Sequence, residues 1–205
     1  VAVQGFGNVG SVAARLLHEK GCRIVAVSDV SGGIRKESGL DIPAVLAHTK
    51  NGRLIKDYDE DGAEHIDNKQ LLTTKCDILI PAALENQITE EVAENLNCRL
   101  VIEAANGPTT AQADAVLERR GIYLLPDILT NAGGVVVSYC EWVQNLQSLT
   151  WDENEVNALL FKVMTRALED VYHKARDYKI SYRLAAYAVA VERICKAKAK
   201  RGIFP

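Results

Sequence analysis

Six residues near the start of the chain, Gly5-Phe6-Gly7-Asn8-Val9-Gly10, limit its fold more than any other feature. They follow a short β-branched run, Val1-Ala2-Val3-Gln4, and lead into Val9, Val12, Ala13, Leu16 and Leu17 at helical spacing. The order is therefore strand, tight turn, helix. In a G-x-G-x-x-G turn each glycine has a steric reason: one makes the turn, one lets the backbone approach a pyrophosphate, and one lets the helix approach the strand. The unpaired amides at the helix start face the phosphates. A glycine turn alone can also serve packing, so its context matters. Here an acid, Asp29, ends the next apolar run, 24 residues after Gly5, near the roughly 20-residue interval at which an acid accepts hydrogen bonds from a ribose.

That next run, Ile24-Val25-Ala26-Val27-Ser28, is nearly all apolar, as expected when helices cover both faces of a parallel sheet. Gly21 is placed to end the first helix. Ser31-Gly32-Gly33 reads as a loop, and Asp41 to about His48 as a helix with Asp41 as N-cap and Pro43 in its first turn. The stretch Asn51–Asn68 is polar and has no clear period. Cys76–Ile80, Leu100–Glu103 and Gly121–Leu125 read as further strands; Thr89–Leu96 and Thr110–Arg120 read as helices between them. Such alternation predicts an α/β fold with a doubly wound Rossmann-type sheet. From about Ala132 the pattern is helical throughout, with one stripe through Val156, Leu159, Leu160, Val163, Ala167 and Val171 and another through Leu184, Tyr187, Ala188, Val191 and Cys195. The expected organisation is a dinucleotide-binding domain over residues 1–150 and a C-terminal helical extension of it over 151–205.

Three polar stretches lie just past strand ends: Pro81–Asn86, Glu103–Pro108 and Pro126–Gly134. Ligands bind at the carboxyl ends of parallel strands in open α/β sheets. Small residues and asparagines there suit a flat carboxamide ring, although each stretch taken singly is also what turn and cap chemistry selects. Asp29 favours NAD, while Ser28, Ser31 and Arg35 could serve a 2′-phosphate, so NADP stays open as well.

Composition narrows the partners. The 205 residues carry 24 Lys and Arg against 27 Asp and Glu, a net charge of −3, which gives no general attraction to nucleic acid or an anionic membrane. No apolar run approaches the roughly 20 residues that span a bilayer, and no charged leader precedes an apolar segment. Five scattered cysteines, Cys22, Cys76, Cys98, Cys140 and Cys195, form no Cys-x-x-Cys pair; they read as small buried hydrophobes in a reducing, cytoplasmic protein. The four histidines show no metal-ligand spacing, so no metal site is expected, and the basic end at Lys196, Lys198, Lys200 and Arg201 reads as a solvated helix terminus. The chain opens at Val1, without Met, inside an expected buried strand, and so reads as a domain excised from a longer protein.

Taken together, these residues resemble the glutamate/leucine/phenylalanine/valine dehydrogenase family, and within it the hexameric glutamate dehydrogenases. The likeness runs through Gln4–Gly10, Ser28-Asp29, Pro81-Ala82-Ala83, Ala105–Pro108, Asn131–Tyr139, Glu141–Asn145 and Arg201-Gly202-Ile203-Phe204, nearly the whole chain. It implies that Gly5, Phe6, Gly7, Asn8, Val9, Gly10, Ser28 and Asp29 bind NAD or NADP, that Ala82 and Ala83 lie along the cofactor, and that Asn106 and Asn131 lie near the nicotinamide. Val135 and Ser138 would face the substrate side chain; a serine there is the reason for preferring glutamate to an apolar amino acid. The implied reaction is reversible oxidative deamination of L-glutamate to 2-oxoglutarate and ammonia, in a homohexameric parent. The catalytic lysine and aspartate belong to an amino-terminal substrate domain preceding this sequence, so no catalytic residue is expected here. A leucine- or phenylalanine-type enzyme and a dinucleotide-sensing domain without redox chemistry are the alternatives.

Overall fold

The computed structural model describes residues 1–202; Ile203 and Phe204, at the end of the stretch that carries the resemblance, lie outside the described residues. Packing divides the chain into two compact units, Val1–Leu124 and Leu125–Pro205.

In the first unit, β1 (Ala2–Gln4), α1 (Asn8–Glu19), β2 (Ala26–Asp29), β3 (Gly32–Arg35), α2 (Ile42–Thr49), β4 (Glu64–Ile66), α3 (Asn68–Leu72), β5 (Ile78–Pro81), α4 (Glu90–Asn95), β6 (Leu100–Ile102) and α5 (Ala111–Arg120) follow in order, and β7 (Tyr123–Leu125) runs one residue past its end. The seven strands run β4-β3-β2-β1-β5-β6-β7. β1 pairs in parallel with β2 and β5, and β5 with β6. The strand order thus reverses beside β1, which creates a crevice at the carboxyl ends of β1 and β5.

Period-two alternation decides which residues face which helices. Ala2, Ala26 and Leu79 pack into one core with Val92, Ala93, Val116 and Leu117 of α4 and α5. Their neighbours Val3, Val27 and Ile80 pack into the opposite core with Ala14 of α1 and Ile42 and Val45 of α2. The sheet is covered on both faces, as the apolar strands predict. Helix starts also follow the sequence: the side chains of Asp41, Thr89 and Thr110 accept from the amides of Ala44, Val92 and Ala113.

Several expectations change. Gly32 and Gly33 belong to a strand, not a loop: β2 and β3 form an antiparallel hairpin whose register pairs Asp29 with Gly32, and β3 continues antiparallel into β4. Glycine is depleted in strands, which hid this edge; here a Cβ at Gly33 would sit 2.9 Å from the Val27 carbonyl oxygen. The irregular Asn51–Asn68 stretch contains a 3₁₀ turn, Ile55–Asp57, with Ile55 fully buried, and the whole of β4. On α1 the buried residues are Gly10 and Ala14, whereas Val9, Val12 and Leu16 are exposed, because the two small residues let the helix axis approach the sheet. Cys195 is exposed, not a buried hydrophobe; Cys140 is buried, and Cys22, Cys76 and Cys98 are partly so.

The second unit is helical: α6 (Asp127–Thr130), α7 (Gly133–Gln147), α8 (Glu153–Tyr178) and α9 (Tyr182–Arg201). A capping box between Asp152 and Glu155 starts α8. Its core is Leu129, Val171, Ala175, Ala185 and Ala186, and surface ion pairs Lys174–Glu192 and Asp170–Arg193 join α8 to α9. The expected stripe on α9 is rotated: Leu184, Tyr187 and Val191 are exposed, and Ala185 and Ala186 are buried. Alanines permit close helix approach, and the larger residues are left outward.

Two measurements follow from burial. Leu79→Ala, at a fully buried centre of the sheet, is expected to cost about 3 kcal/mol, whereas Leu184→Ala is expected to stay within about 0.5 kcal/mol, both read by urea denaturation of the chain. Burial pushes the Cys98 thiol up to about 12, so at pH 8 its thiolate is scarce; iodoacetamide with mass mapping is expected to label Cys195 well before Cys98.

Candidate functional site

The crevice beside β1 opens into a cleft of about 920 Å³ that lies wholly in the first unit. Its walls bring together Gly5, Phe6 and Gly7 of the glycine turn, Ser28 and Asp29 at the end of β2, and Ala82 and Ala83 after β5. These are seven of the residues expected to line a cofactor. Asn8, Val9 and Gly10 form the first turn of α1.

The glycine turn is shaped by contact with its neighbours. Gly5 has φ +90°, and a Cβ there would lie 2.9 Å from the backbone of Ala82 and Ala83. At Gly10 a Cβ would lie 1.8 Å from the Gly5 carbonyl oxygen. Gly7 differs, since a Cβ on it would meet nothing within 4 Å. Gly5 and Gly10 therefore serve the fold, and Gly7 leaves open space on the side where α1 begins. Gly7 is the N-cap of α1 and offers no side chain to it, so the first amides of the helix remain as donors with a partial positive charge. That arrangement suits a pyrophosphate.

The floor carries a buried polar side chain. Gln4, only 1% exposed, donates through Nε2 to Asn68 Oδ1 (2.7 Å) and Gln87 Oε1 (2.9 Å), tying β1 to α3 and to the loop after β5. The Gln4 carbonyl accepts from Ala82 N–H at 2.7 Å. Gln4, Asn68 and Gln87 line the cleft but were not among the expected site residues. A polar side chain at the end of an otherwise buried strand was the signal for Gln4. The loops after β5 and β6 are joined by Asn86 N–H to the Gly107 carbonyl and Ile88 N–H to the Pro108 carbonyl, each 2.8 Å, which fixes the loop carrying Asn106.

At the far end Asp29 is both a turn residue and a cleft residue. Its Oδ1 accepts from Ser31 N–H (2.7 Å) and from Ser31 Oγ (2.5 Å), and its Oδ2 accepts from Ile55 N–H (2.8 Å). The groups that could serve a 2′-phosphate are engaged elsewhere. Ser28 Oγ is buried and accepts from Gly5 N–H (3.3 Å), Ser31 Oγ is held by Asp29, and Arg35 pairs with Glu64 across β3 and β4. Asn131, Val135 and Ser138 belong to the second unit. Val135 and Ser138 lie on one face of α7, three residues apart, and both are exposed. Among the described residues, no group of three or more His, Cys, Asp or Glu is placed to hold a metal ion, and no helix is long and apolar enough to cross a membrane.

Comparison with known proteins accounts for this arrangement. The sequence model of the glutamate/leucine/phenylalanine/valine dehydrogenases matches residues 1–202. The chain belongs to that family. Among its relatives, glutamate dehydrogenase A2 of Halobacterium salinarum is 52% identical over 100% of this chain and 49% of its own length. Glutamate dehydrogenase of Thermotoga maritima is 48% identical over 100% of this chain and 49% of its own length. A Bacillus subtilis relative named a cryptic catabolic NAD-specific glutamate dehydrogenase is 46% identical over 98% and 47%. Of solved structures, a hetero-hexameric glutamate dehydrogenase of Thermus thermophilus in a Leu-bound form superposes with TM-score 0.89 at 31% identity, over 100% of this chain and 48% of that one. The chain thus spans about half the length of the curated relatives it matches.

Gly10→Ala tests the fold role of the family's glycine turn. With the Gly5 carbonyl in the way, the variant is expected to lose about 3 kcal/mol or more of stability, visible as a lower urea midpoint.

Proposed function

We propose that this chain is the cofactor-binding half of an NAD(P)-dependent glutamate dehydrogenase, catalysing reversible oxidative deamination of L-glutamate to 2-oxoglutarate and ammonia. The observation that carries the reading is the meeting of the glycine turn, with the open face of Gly7 at the start of α1, and Asp29 in one cleft at the strand-order reversal. Relatives 46–52% identical bear the name glutamate dehydrogenase.

In this reading the α1 amides and Gly5–Gly10 hold the pyrophosphate, and Asp29 accepts from the adenosine ribose hydroxyls. Ala82 and Ala83 let the cofactor pass close to the β5 loop, Asn106 and Asn131 orient the nicotinamide carboxamide, and Val135 and Ser138 receive the substrate side chain. The chemistry such a cofactor supplies is acceptance of a hydride from the substrate carbon. The work of this chain is positional, because hydride transfer needs close and aligned approach. General acid and base groups are supplied by a substrate domain outside this chain. A cytoplasmic homohexamer is the proposed state of the parent, in keeping with the hetero-hexameric relative.

The test is turnover by the full-length enzyme with glutamate and with leucine, where a preference for glutamate is expected and turnover of neither would sink the reading. In the chain itself, Gly7→Ala is expected to leave the urea midpoint unchanged while weakening NAD⁺ binding about tenfold. Calorimetry reads that loss, and unchanged affinity would remove the pyrophosphate from the glycine turn.

A further inference from the structure

NAD and NADP differ at one place, the adenosine 2′ position. A 2′-hydroxyl donates a hydrogen bond to a carboxylate, whereas a 2′-phosphate carries close to two negative charges and is repelled by it. An acid at the end of β2 discriminates between them only while it stays where it is. An acid free to swing aside would admit either nucleotide.

In this chain Asp29 is not free to swing. Both carboxylate oxygens are held, one by the Ser31 amide and hydroxyl and the other by the Ile55 amide. The Ser31 hydroxyl is itself held, since it accepts from Lys56 N–H at 3.1 Å. The donors come from two separate segments: the tight turn of the β2–β3 hairpin and the 3₁₀ turn Ile55–Asp57, which lies 26 residues further along. The 3₁₀ turn is anchored in turn by Ile55, which is fully buried in the core beneath α2, and by His48, whose ring nitrogen meets the Leu54 carbonyl at 3.0 Å. Hydrogen bonds to a charged group contribute about 1.5–3 kcal/mol each, so moving Asp29 aside means breaking several of them at once.

We propose that Ser31 and the 3₁₀ turn Ile55–Asp57 form a latch that fixes Asp29 in the cleft, and that this latch sets a preference for the 2′-hydroxyl nucleotide NAD over NADP. The inference rests on the dinucleotide reading of the cleft given above. Ser31 is a positioning residue: its hydroxyl faces the carboxylate and acts on the nucleotide through it. The hairpin turn holds Asp29 by the Ser31 amide and the Ile55 amide joins it directly to the second segment; the hydroxyl adds a second link between them, from Asp29 through Ser31 Oγ to Lys56 N–H.

Calorimetric titration of the chain with NAD⁺ and with NADP⁺ tests this, with urea denaturation as a folding control. The unaltered chain is expected to bind NAD⁺ at least about tenfold more tightly than NADP⁺. In Ser31→Ala the ratio of the two affinities is expected to fall about fivefold, the equivalent of about 1 kcal/mol, mainly through tighter NADP⁺ binding; Ser31→Cys, which keeps the volume but donates weakly, is expected to fall in the same direction. Ser31→Thr, which keeps the hydroxyl, is expected to restore the ratio. A ratio unchanged in Ser31→Ala and Ser31→Cys, including one in which both nucleotides weaken equally, overturns the latch and leaves the dinucleotide reading standing. NADP⁺ bound as tightly as NAD⁺ by the unaltered chain overturns it too. Binding of neither nucleotide at millimolar concentration overturns the dinucleotide reading itself.

Discussion

The first unit depends on one close approach, the backbone of the β1–α1 turn against itself and against the loop after β5. Gly10 lies so near the Gly5 carbonyl that a single methyl group would overlap it, and a methyl group on Gly5 would come within 2.9 Å of the Ala82 and Ala83 backbone. Because the turn is this tight, α1 starts directly after it, and its N-cap, Gly7, lines the cleft beside β1. The remaining parts of the cleft are set relative to that point. Gln4 ties the floor to α3 and the β5 loop, and Ser28 ties β2 to the Gly5 amide.

Around this centre the sheet is asymmetric in a way that serves the site. On one side, parallel strands β5 and β6 end in loops that are hydrogen-bonded to each other. On the other, the chain turns back through an antiparallel hairpin, and the hairpin turn presents Asp29 at the rim of the cleft. A parallel continuation after β2 would need a crossover of a dozen or more residues; the hairpin needs two. The short route leaves the Asn51–Asn68 stretch available to return over the hairpin and place the Ile55 amide on Asp29. A segment without clear sequence period is thereby part of the site.

Much of this was legible in residue order. Parallel strands buried on both faces must be apolar throughout, so β1, β2, β5 and β6 stand out, and the cap at Asp41 and the helical stretches from Thr89 and Thr110 announce three helices. What was not legible has local causes. β3 is hidden because it contains two adjacent glycines, of which Gly33 sits where a side chain would strike the neighbouring strand. α3 spans five residues, too few for a helical period to show, although Asp67 and Gln70 form a capping box that marks its start. The α9 stripe was misread since Ala185 and Ala186, carrying little hydrophobic signal, are the residues that pack, and the larger apolar side chains beside them stay exposed.

The sequence by itself determined the strand-glycine-helix unit, the alternation that builds a doubly wound sheet, and the chemical types gathered at the strand ends, because each of these rests on short-range stereochemistry or on periodicity. Tertiary structure alone decided which groups around Asp29 are available. Ser28, Ser31 and Arg35 look alike in sequence as partners for a phosphate. In the fold, the three are already engaged by Gly5, Asp29 and Glu64. Hydrogen-bond partners at such separations depend on the register of β2 against β3 and on where the 3₁₀ turn lands, which are properties of the assembled sheet.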